Sequence, residues 1–271
     1  MLVQQKPTTS TGQPRAGGSG GGGSTTGRGS SSGGSGTLLT RANQTSLSAK
    51  AWDTLLCAME QLKKDKGSRD WDYFTDLHKK YAQHDDTDDH GNLPHLDGGH
   101  LTVHSPFYWL PWHRKFVLEF EKRLRAFEPS VTIPYWNWVA SRDIPDELGK
   151  KVFGWMHVSR AVFHNGDKLP TASDYSKVTD ASSYATFDTQ LSNLHALVHG
   201  WVGGEMGNPN KSPNDPLFFL HHAFIDKTWR DWAAAHATQS FPEEYLSFEL
   251  PPWSTTVAEV LEIDDLAYRY A

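Results

Sequence analysis

A single cysteine, Cys57, stands in a chain of 271 residues. One cysteine excludes an intrachain disulfide, and this fits a reducing compartment such as the cytoplasm without excluding export. The chain also has no apolar run of the ~18 residues that a membrane-spanning helix needs. Its first residues lack the apolar segment of an ordinary secretory signal. We therefore expect no membrane partner and leave the compartment open.

Positive charge is scarce, with 26 Lys and Arg against 32 Asp and Glu, a formal net charge of -6. Nucleic-acid binding needs a basic face, so nucleic acid is not an expected partner. Residues 1–36 are mostly Gly, Ser and Thr with hardly any apolar side chains. Such a segment cannot bury enough surface to offset its ordering entropy, and we predict a disordered tail. Residues 37–271 are long enough for one folded domain.

Apolar residues recur at helical spacing in five stretches of this domain. The predicted helices cover about 46–64, 71–81, 111–127, 187–199 and 216–236. Pro, Gly and Ser punctuate residues 140–186, which we predict as mostly loop, and the end of the chain from 241 as loop with a short strand or turn. Long amphipathic helices of this kind predict a mainly α fold, an antiparallel four-helix bundle with long loops and little β structure.

Histidines are the unusual feature of the composition, at 14 in the chain. His195 and His199 are four residues apart in a predicted helix, so their side chains share one face about 5–6 Å apart at Cβ. Two imidazoles at that spacing can bind one metal ion. Ala196 stands where a zinc protease helix would carry its general-base glutamate, so the pair does not predict a protease of that type.

Further histidines extend this pair to two sets of three. His222 falls in the next predicted helix, and Asp226, four residues later, is placed to accept the second N–H of a ligand ring. The N-terminal half offers His78, His104 and His113. Three and three imidazoles without carboxylate or thiolate partners favour copper or zinc. A di-iron bundle would show Glu-x-x-His pairs instead.

Three long motifs resemble the copper-binding motifs of tyrosinases and polyphenol oxidases. These motifs are HSPFYWLPWHR at 104–114, LHALVHGWVGG at 194–204 and NDPLFFLHHAFIDKTW at 214–229. The resemblance extends to Pro-Tyr-Trp at 134–136, to the closing Tyr268-Arg269-Tyr270, and to Arg41, which such a tyrosine motif usually meets. It implies that residues 37–271 are a type 3 copper catalytic domain with two copper ions. The tyrosine motif ends the sequence, so we expect no C-terminal shielding domain, and a separate copper-delivery or shielding partner as the alternative.

The resemblance also implies which residues bind copper. The first copper is assigned to His78, His104 and His113, and the second to His195, His199 and His222. His221 resembles the family's non-ligand neighbour of the last ligand. His84 competes with His78 for the first position, but Trp71 and Phe74 match the aromatic spacing that precedes this ligand in the family.

Some positions depart from the pattern of tyrosinases that hydroxylate monophenols. Those enzymes often carry an asparagine where this chain has Ala196, and a glutamate a little upstream, near Ser192. Asp188 is a weak substitute for that base. We therefore favour oxidation of o-diphenols or o-aminophenols to o-quinones with dioxygen, and keep monophenol hydroxylation as the alternative. Thr102, two residues before His104, replaces the cysteine that is cross-linked to a ligand in fungal and plant members.

Three aromatic residues, Phe218, Trp109 and Trp201, are expected in the core, with the wall of a phenol pocket as the alternative. Two other functions use the same helices. A dioxygen carrier usually blocks the pocket with a further domain, and a zinc hydrolase or zinc-stabilised module needs the glutamate that Ala196 replaces. The expected partners are a small phenolic substrate and dioxygen.

Overall fold

The computed structural model describes residues 38–82, 95–96, 99–100, 102–149, 151–152, 154, 156–162, 168–239 and 241–271. The predicted tail and His84 lie outside these residues. The helices are α1 (Ala49–Lys64), α2 (Trp71–Ala82), α3 (Trp109–Arg125), α4 (Ala172–Thr179), α5 (Tyr184–Val202) and α6 (Leu217–Ala235). The prediction of a mainly α fold is confirmed. Among the described residues, none of the helices has the length and apolarity to cross a bilayer.

Side-chain caps set where the long helices begin. Ser48 Oγ accepts a hydrogen bond from Ala51 N at 3.2 Å, and Ser183 Oγ accepts one from Thr186 N at 3.2 Å. Each cap satisfies an amide that has no partner within its helix. The cap at Ser183 starts α5 three residues earlier than the apolar spacing alone predicted.

The short helix α4 lies within residues 140–186, which the sequence predicted as mostly loop. A capping box starts it, because Thr171 Oγ1 accepts from Asp174 N at 3.2 Å while Asp174 Oδ2 accepts from Thr171 N at 3.0 Å. Val178 is its one buried residue. A helix of eight residues with so little apolar surface has no periodic pattern to detect, and the capping box was the available signal.

Helices α3 and α6 pack directly against each other, α1 packs on α2 and α3, and α4 packs on α5. Helix α2 meets α3 through His78 and His113, and α5 meets α6 through His195 and His222, which completes the four-helix bundle. Aromatic side chains fill its core. The rings of Phe120 on α3 and Phe219 on α6 stack with centroids 3.5 Å apart, and Trp71 meets both rings edge-on. Burying each such side chain stabilises the fold by about 1.5–3 kcal/mol. This aromatic layer holds α3 and α6 together, and each of these helices carries a candidate ligand.

The two ends of the domain meet in a parallel strand pair. Strand β1 (Leu39–Arg41) pairs in parallel with β8 (Tyr268–Tyr270), with Arg41 opposite Tyr270. The other described strands form three small antiparallel pairs: β2 (His95–Leu96) with β3 (Gly99–His100), β4 (Lys151–Val152) with β5 (Met156–His157), and β6 (Glu249–Leu250) with β7 (Trp253–Thr256). The predicted short strand near the C-terminus is therefore two elements, a hairpin and β8.

A buried ionic cluster lies beneath this strand pair. Asp226 Oδ1 accepts from Arg114 Nε at 2.5 Å, and Asp226 Oδ2 accepts from the hydroxyls of Tyr268 and Tyr270, both at 2.6 Å. Arg41 Nη1 adds a longer bond of 3.3 Å to Oδ2. Burial opposes ionisation of Asp226, but the charges of Arg114 and Arg41 outweigh it and hold its pKa below the usual value. The cluster thus joins β1, α3, α6 and β8.

The position two residues after the end of α5 can hold only a glycine without strain. Gly204 has φ +57, and a Cβ there would stand 2.0 Å from the carbonyl oxygen of Ser159. Gly154 has φ +74 but open space around it. A left-handed alanine costs about 1–2 kcal/mol, and the clash adds to that. We expect Gly204→Ala to lower the free energy of unfolding by about 3 kcal/mol or more, and Gly154→Ala by about 1 kcal/mol, in urea titrations. Equal losses would contradict this account.

Candidate metal centre

Histidine side chains converge from the four bundle helices and one loop. The contributing residues are His78 on α2, His104 in the loop before α3, His113 on α3, His195 and His199 on α5, and His222 on α6. Ring nitrogens of the first three lie within 4.8 Å of one another. The rings of His113 and His222 stack with centroids 4.7 Å apart, so the two sets face each other. The structure brings all six predicted residues together.

Backbone carbonyls orient four of these rings through Nδ1. The bonds are His78 to Pro209 O (2.8 Å), His113 to Trp109 O (2.8 Å), His199 to Met206 O (2.7 Å) and His222 to Phe218 O (2.8 Å). A carbonyl oxygen only accepts, so in each neutral ring the proton sits on Nδ1 and the lone pair on Nε2. The ring atoms left for a metal are therefore the Nε2 atoms.

The Nε2 atoms approach each other closely inside the bundle. His78 Nε2 lies 3.3 Å from His113 Nε2, and His195 Nε2 lies 3.1 Å from His222 Nε2. In the first pair both nitrogens carry lone pairs, which repel at this distance. A cation bound between the rings turns that repulsion into coordination. The donor set therefore fits a metal that suits imidazole, such as copper.

His221 is as well placed as His222 to be the third ligand beside His195 and His199, but its ring makes a different hydrogen bond. A nitrogen of His221 lies within 4.8 Å of nitrogens of His195 and His199. Trp138 Nε1 donates to His221 Nδ1 at 3.2 Å. An indole N–H only donates, so the proton of neutral His221 sits on Nε2. That tautomer offers no lone pair on Nε2, whereas His222 does, and the geometry favours His222.

Burial keeps the rings neutral. It lowers the pKa of His104 and of His199 to about 4. Burial also lowers the pKa values of the other four rings well below their usual range, with the neighbouring imidazoles adding to the effect: His78, His113, His195 and His222. At neutral pH a metal therefore displaces no proton from Nε2 of the four rings whose Nδ1 bonds a carbonyl.

Asp226 does not orient a histidine, so that sequence prediction is wrong. Its carboxylate is taken up by the ionic cluster with Arg114 and the tyrosines, while His222 Nδ1 donates to Phe218 O. Both residues share a helix face, but the helix already supplies the ring with a carbonyl four residues earlier. Spacing alone could not show that Arg114 and two C-terminal tyrosines converge on the same carboxylate.

A cavity of about 330 Å³ opens beside the histidines. On one side it is lined by small residues that recur every four positions of α5: Ser192, Ala196 and Gly200. Met206 and Pro209 line the other side, on the loop whose carbonyls orient His199 and His78. Phe218 is fully buried and stacks on His222 with centroids 3.9 Å apart, so it belongs to the core beneath the histidines.

Asp188 lies behind the histidines, away from the cavity lining. It is 1% exposed, and its carboxylate accepts hydrogen bonds from Trp109 Nε1 at 3.0 Å and from Phe107 N at 3.1 Å. Burial raises its pKa to about 6. Because both oxygens are committed to the protein, the geometry argues against Asp188 as a base for substrate. The bond to Trp109 was not expected from the sequence.

Most of the folded domain matches a known protein family. The family description "Common central domain of tyrosinase" matches residues 68–156 and 154–235. The chain belongs to the tyrosinase family. Members of this family carry two copper ions, and the two buried histidine groups fit a binuclear copper centre. Copper is therefore the cofactor, and the chain is an oxidoreductase of this family.

Individual relatives agree with this assignment. The tyrosinase of Streptomyces antibioticus is 30% identical over 83% of this chain and 96% of its own length. Among solved structures, a functional unit of octopus hemocyanin shares the fold with a TM-score of 0.68 at 19% identity, covering 86% of this chain and 68% of that one. Latent apple tyrosinase does so with a TM-score of 0.64 at 22% identity, covering 87% and 63%.

The lowered pKa values predict how acid acts on the metal-free protein. Below about pH 6.5 the unfolded chain takes up protons on these histidines, but the folded rings do not until about pH 4. The free energy of unfolding should therefore be at its full value above pH 6.5 and fall by about 3 kcal/mol or more as the pH drops to 4. Urea titrations across this range measure it, and His199→Phe should reduce the slope. A flat profile in both proteins would contradict the burial argument.

Proposed function

We propose that this chain uses its copper pair to oxidise o-diphenols or o-aminophenols to o-quinones with dioxygen. The observation that carries the proposal is that two groups of neutral imidazoles face each other beside a cavity, and that Ala196 lines this cavity. The proposal includes the ligands: His78, His104 and His113 for one copper, and His195, His199 and His222 for the other.

The protein's part in this reaction is to hold the copper ions, orient their ligand rings and shield the site. When bound, the copper pair would supply a two-electron redox couple, so that two diphenols, each losing two electrons and two protons, reduce one dioxygen to two water molecules. The backbone carbonyls fix the ligand rings before substrate arrives, so no reorganisation is needed during the reaction. The small side chains of Ser192, Ala196 and Gly200 leave room for a flat ring beside the histidines.

The cavity wall favours o-diphenols over monophenols. A monophenol must lose its proton, and a positioned water needs a carboxylate and an amide to take it. Among the described residues lining the cavity there is neither, since Ala196 and Ser192 occupy the α5 positions in question. A full tyrosinase activity is the second candidate, supported by the 30% identity to the Streptomyces antibioticus tyrosinase. Reversible dioxygen binding is the third, supported by the fold shared with octopus hemocyanin.

Oxygen uptake by the copper-loaded protein, with phenol and catechol run side by side, separates these functions. We expect uptake with catechol at a rate at least about a hundredfold above that with phenol, because no group in the described cavity wall deprotonates the phenol. Prompt uptake with both substrates would establish the monophenolase instead. Uptake with neither, together with reversible dioxygen binding, would establish a carrier.

The ligand assignment is tested by copper content. We expect the copper content of His222→Ala to fall from two ions per chain to one, because the substitution removes a ring whose Nε2 lone pair is available to a metal. His221→Gln should keep both ions, since its amide oxygen still accepts from Trp138 Nε1. Metal analysis after dialysis measures this. The opposite pattern, with copper lost from His221→Gln and retained by His222→Ala, would assign His221 as the ligand.

A further inference from the structure

One buried carboxylate joins the chain segments that carry the two histidine groups. Asp188 lies on α5, seven residues before His195. Its hydrogen-bond partners, Phe107 N and Trp109 Nε1, lie between His104 and His113. The first group's loop and helix are therefore tied through a single side chain to the helix of the second group.

Trp109 connects Asp188 to histidine rings of both groups. Its ring centroid lies 5.1 Å from that of His195 and 6.2 Å from that of His113. Its carbonyl oxygen also accepts the Nδ1 hydrogen bond of His113 at 2.8 Å. The indole is thus in contact with one ring of each group, and the bond to Asp188 fixes how the indole is turned.

The backbone next to this contact is strained. Phe107 has φ +63, in the left-handed region that bulky side chains rarely adopt. Its N–H is held by Asp188 Oδ2, and its ring stacks on Tyr184 with centroids 6.0 Å apart. Strain of this kind persists only where the surroundings impose it, and it concentrates at functional sites.

We propose that Asp188 is a positioning residue that sets how the two histidine groups face each other, and with that the relation between the two copper ions. This inference rests on the proposed function, because it takes the two groups as the two copper sites. Asp188 acts through Trp109 and Phe107 and touches neither substrate nor metal.

The chemistry of the contact defines the informative variants. Both partners donate, and each uses a different carboxylate oxygen, Oδ1 for Trp109 and Oδ2 for Phe107. Asp188→Asn keeps the size but turns an N–H toward one of the two donors. Trp109→Phe keeps an aromatic ring against His195 and removes only the indole donor. Tyr184→Phe is the matched control, because this buried hydroxyl on the same helix has no hydrogen-bond partner among the described residues.

The test combines copper content, electron paramagnetic resonance of the oxidised protein and catechol kinetics. Two cupric ions that share a bridging ligand pair their spins and give no signal. We expect Asp188→Asn and Trp109→Phe to keep two copper ions per chain, to become visible in the resonance spectrum, and to lose kcat about tenfold to a hundredfold with KM little changed. Where the amide N–H of Asp188→Asn faces Trp109, the double variant should be no worse than the single variants, because both then remove the same contact. Tyr184→Phe should match the unmodified protein.

Silent spectra and unchanged kcat in both single variants would overturn the inference and leave the proposed function standing. Loss of copper or folding in Asp188→Asn with a normal Trp109→Phe would overturn it as well, because the carboxylate would then be purely structural. If Asp188→Asn does not fold, Trp109→Phe alone decides. Failure of the proposed function is distinguishable, since the unmodified protein would then fail to oxidise catechol, would oxidise phenol just as promptly, or would bind fewer than two copper ions.

Discussion

The need to keep six imidazoles neutral, with their lone pairs turned inward, governs the rest of this structure. Burial among aromatic side chains disfavours the protonated rings, and backbone carbonyls fix the remaining proton on Nδ1. For two rings the helix itself supplies the carbonyl, four residues earlier. For two others the loop after α5 supplies it, through Met206 and Pro209. That one loop therefore orients a ring in each group, and its path close to Ser159 requires Gly204.

The paired charges around Asp226 lie apart from the histidine rings. Asp226 lies on the same helix as His222, yet its carboxylate pairs with Arg114 and Arg41 rather than with an imidazole. Buried charges are tolerated only when paired and hydrogen-bonded, and the hydroxyls of Tyr268 and Tyr270 complete this cluster. The ionic cluster joins both ends of the domain to the bundle. The neutral imidazoles take no part in this cluster and remain available to bind metal.

Local patterns in the sequence predicted the long helices and the six histidines that the fold brings together, because periodicity and motif spacing are properties of short segments. The features that these patterns did not predict depend on short elements or on contacts between residues far apart in the sequence. Helix α4 is too short for a periodic pattern. Asp226 meets Arg41 across 185 positions, and Asp188 meets Trp109 across 79, and no spacing rule relates such residues. The tautomer of His221 likewise follows from a partner that only the fold brings near.

The most direct test of the account is anomalous X-ray diffraction from crystals of the copper-loaded protein, recorded at the copper absorption edge. The account predicts two copper peaks, one bound by nitrogens of His78, His104 and His113 and the other by nitrogens of His195, His199 and His222. The ring of His221 should stay unbound, with its Nδ1 still accepting from Trp138. A single copper peak, or a copper bound by His221 in place of His222, would contradict the account.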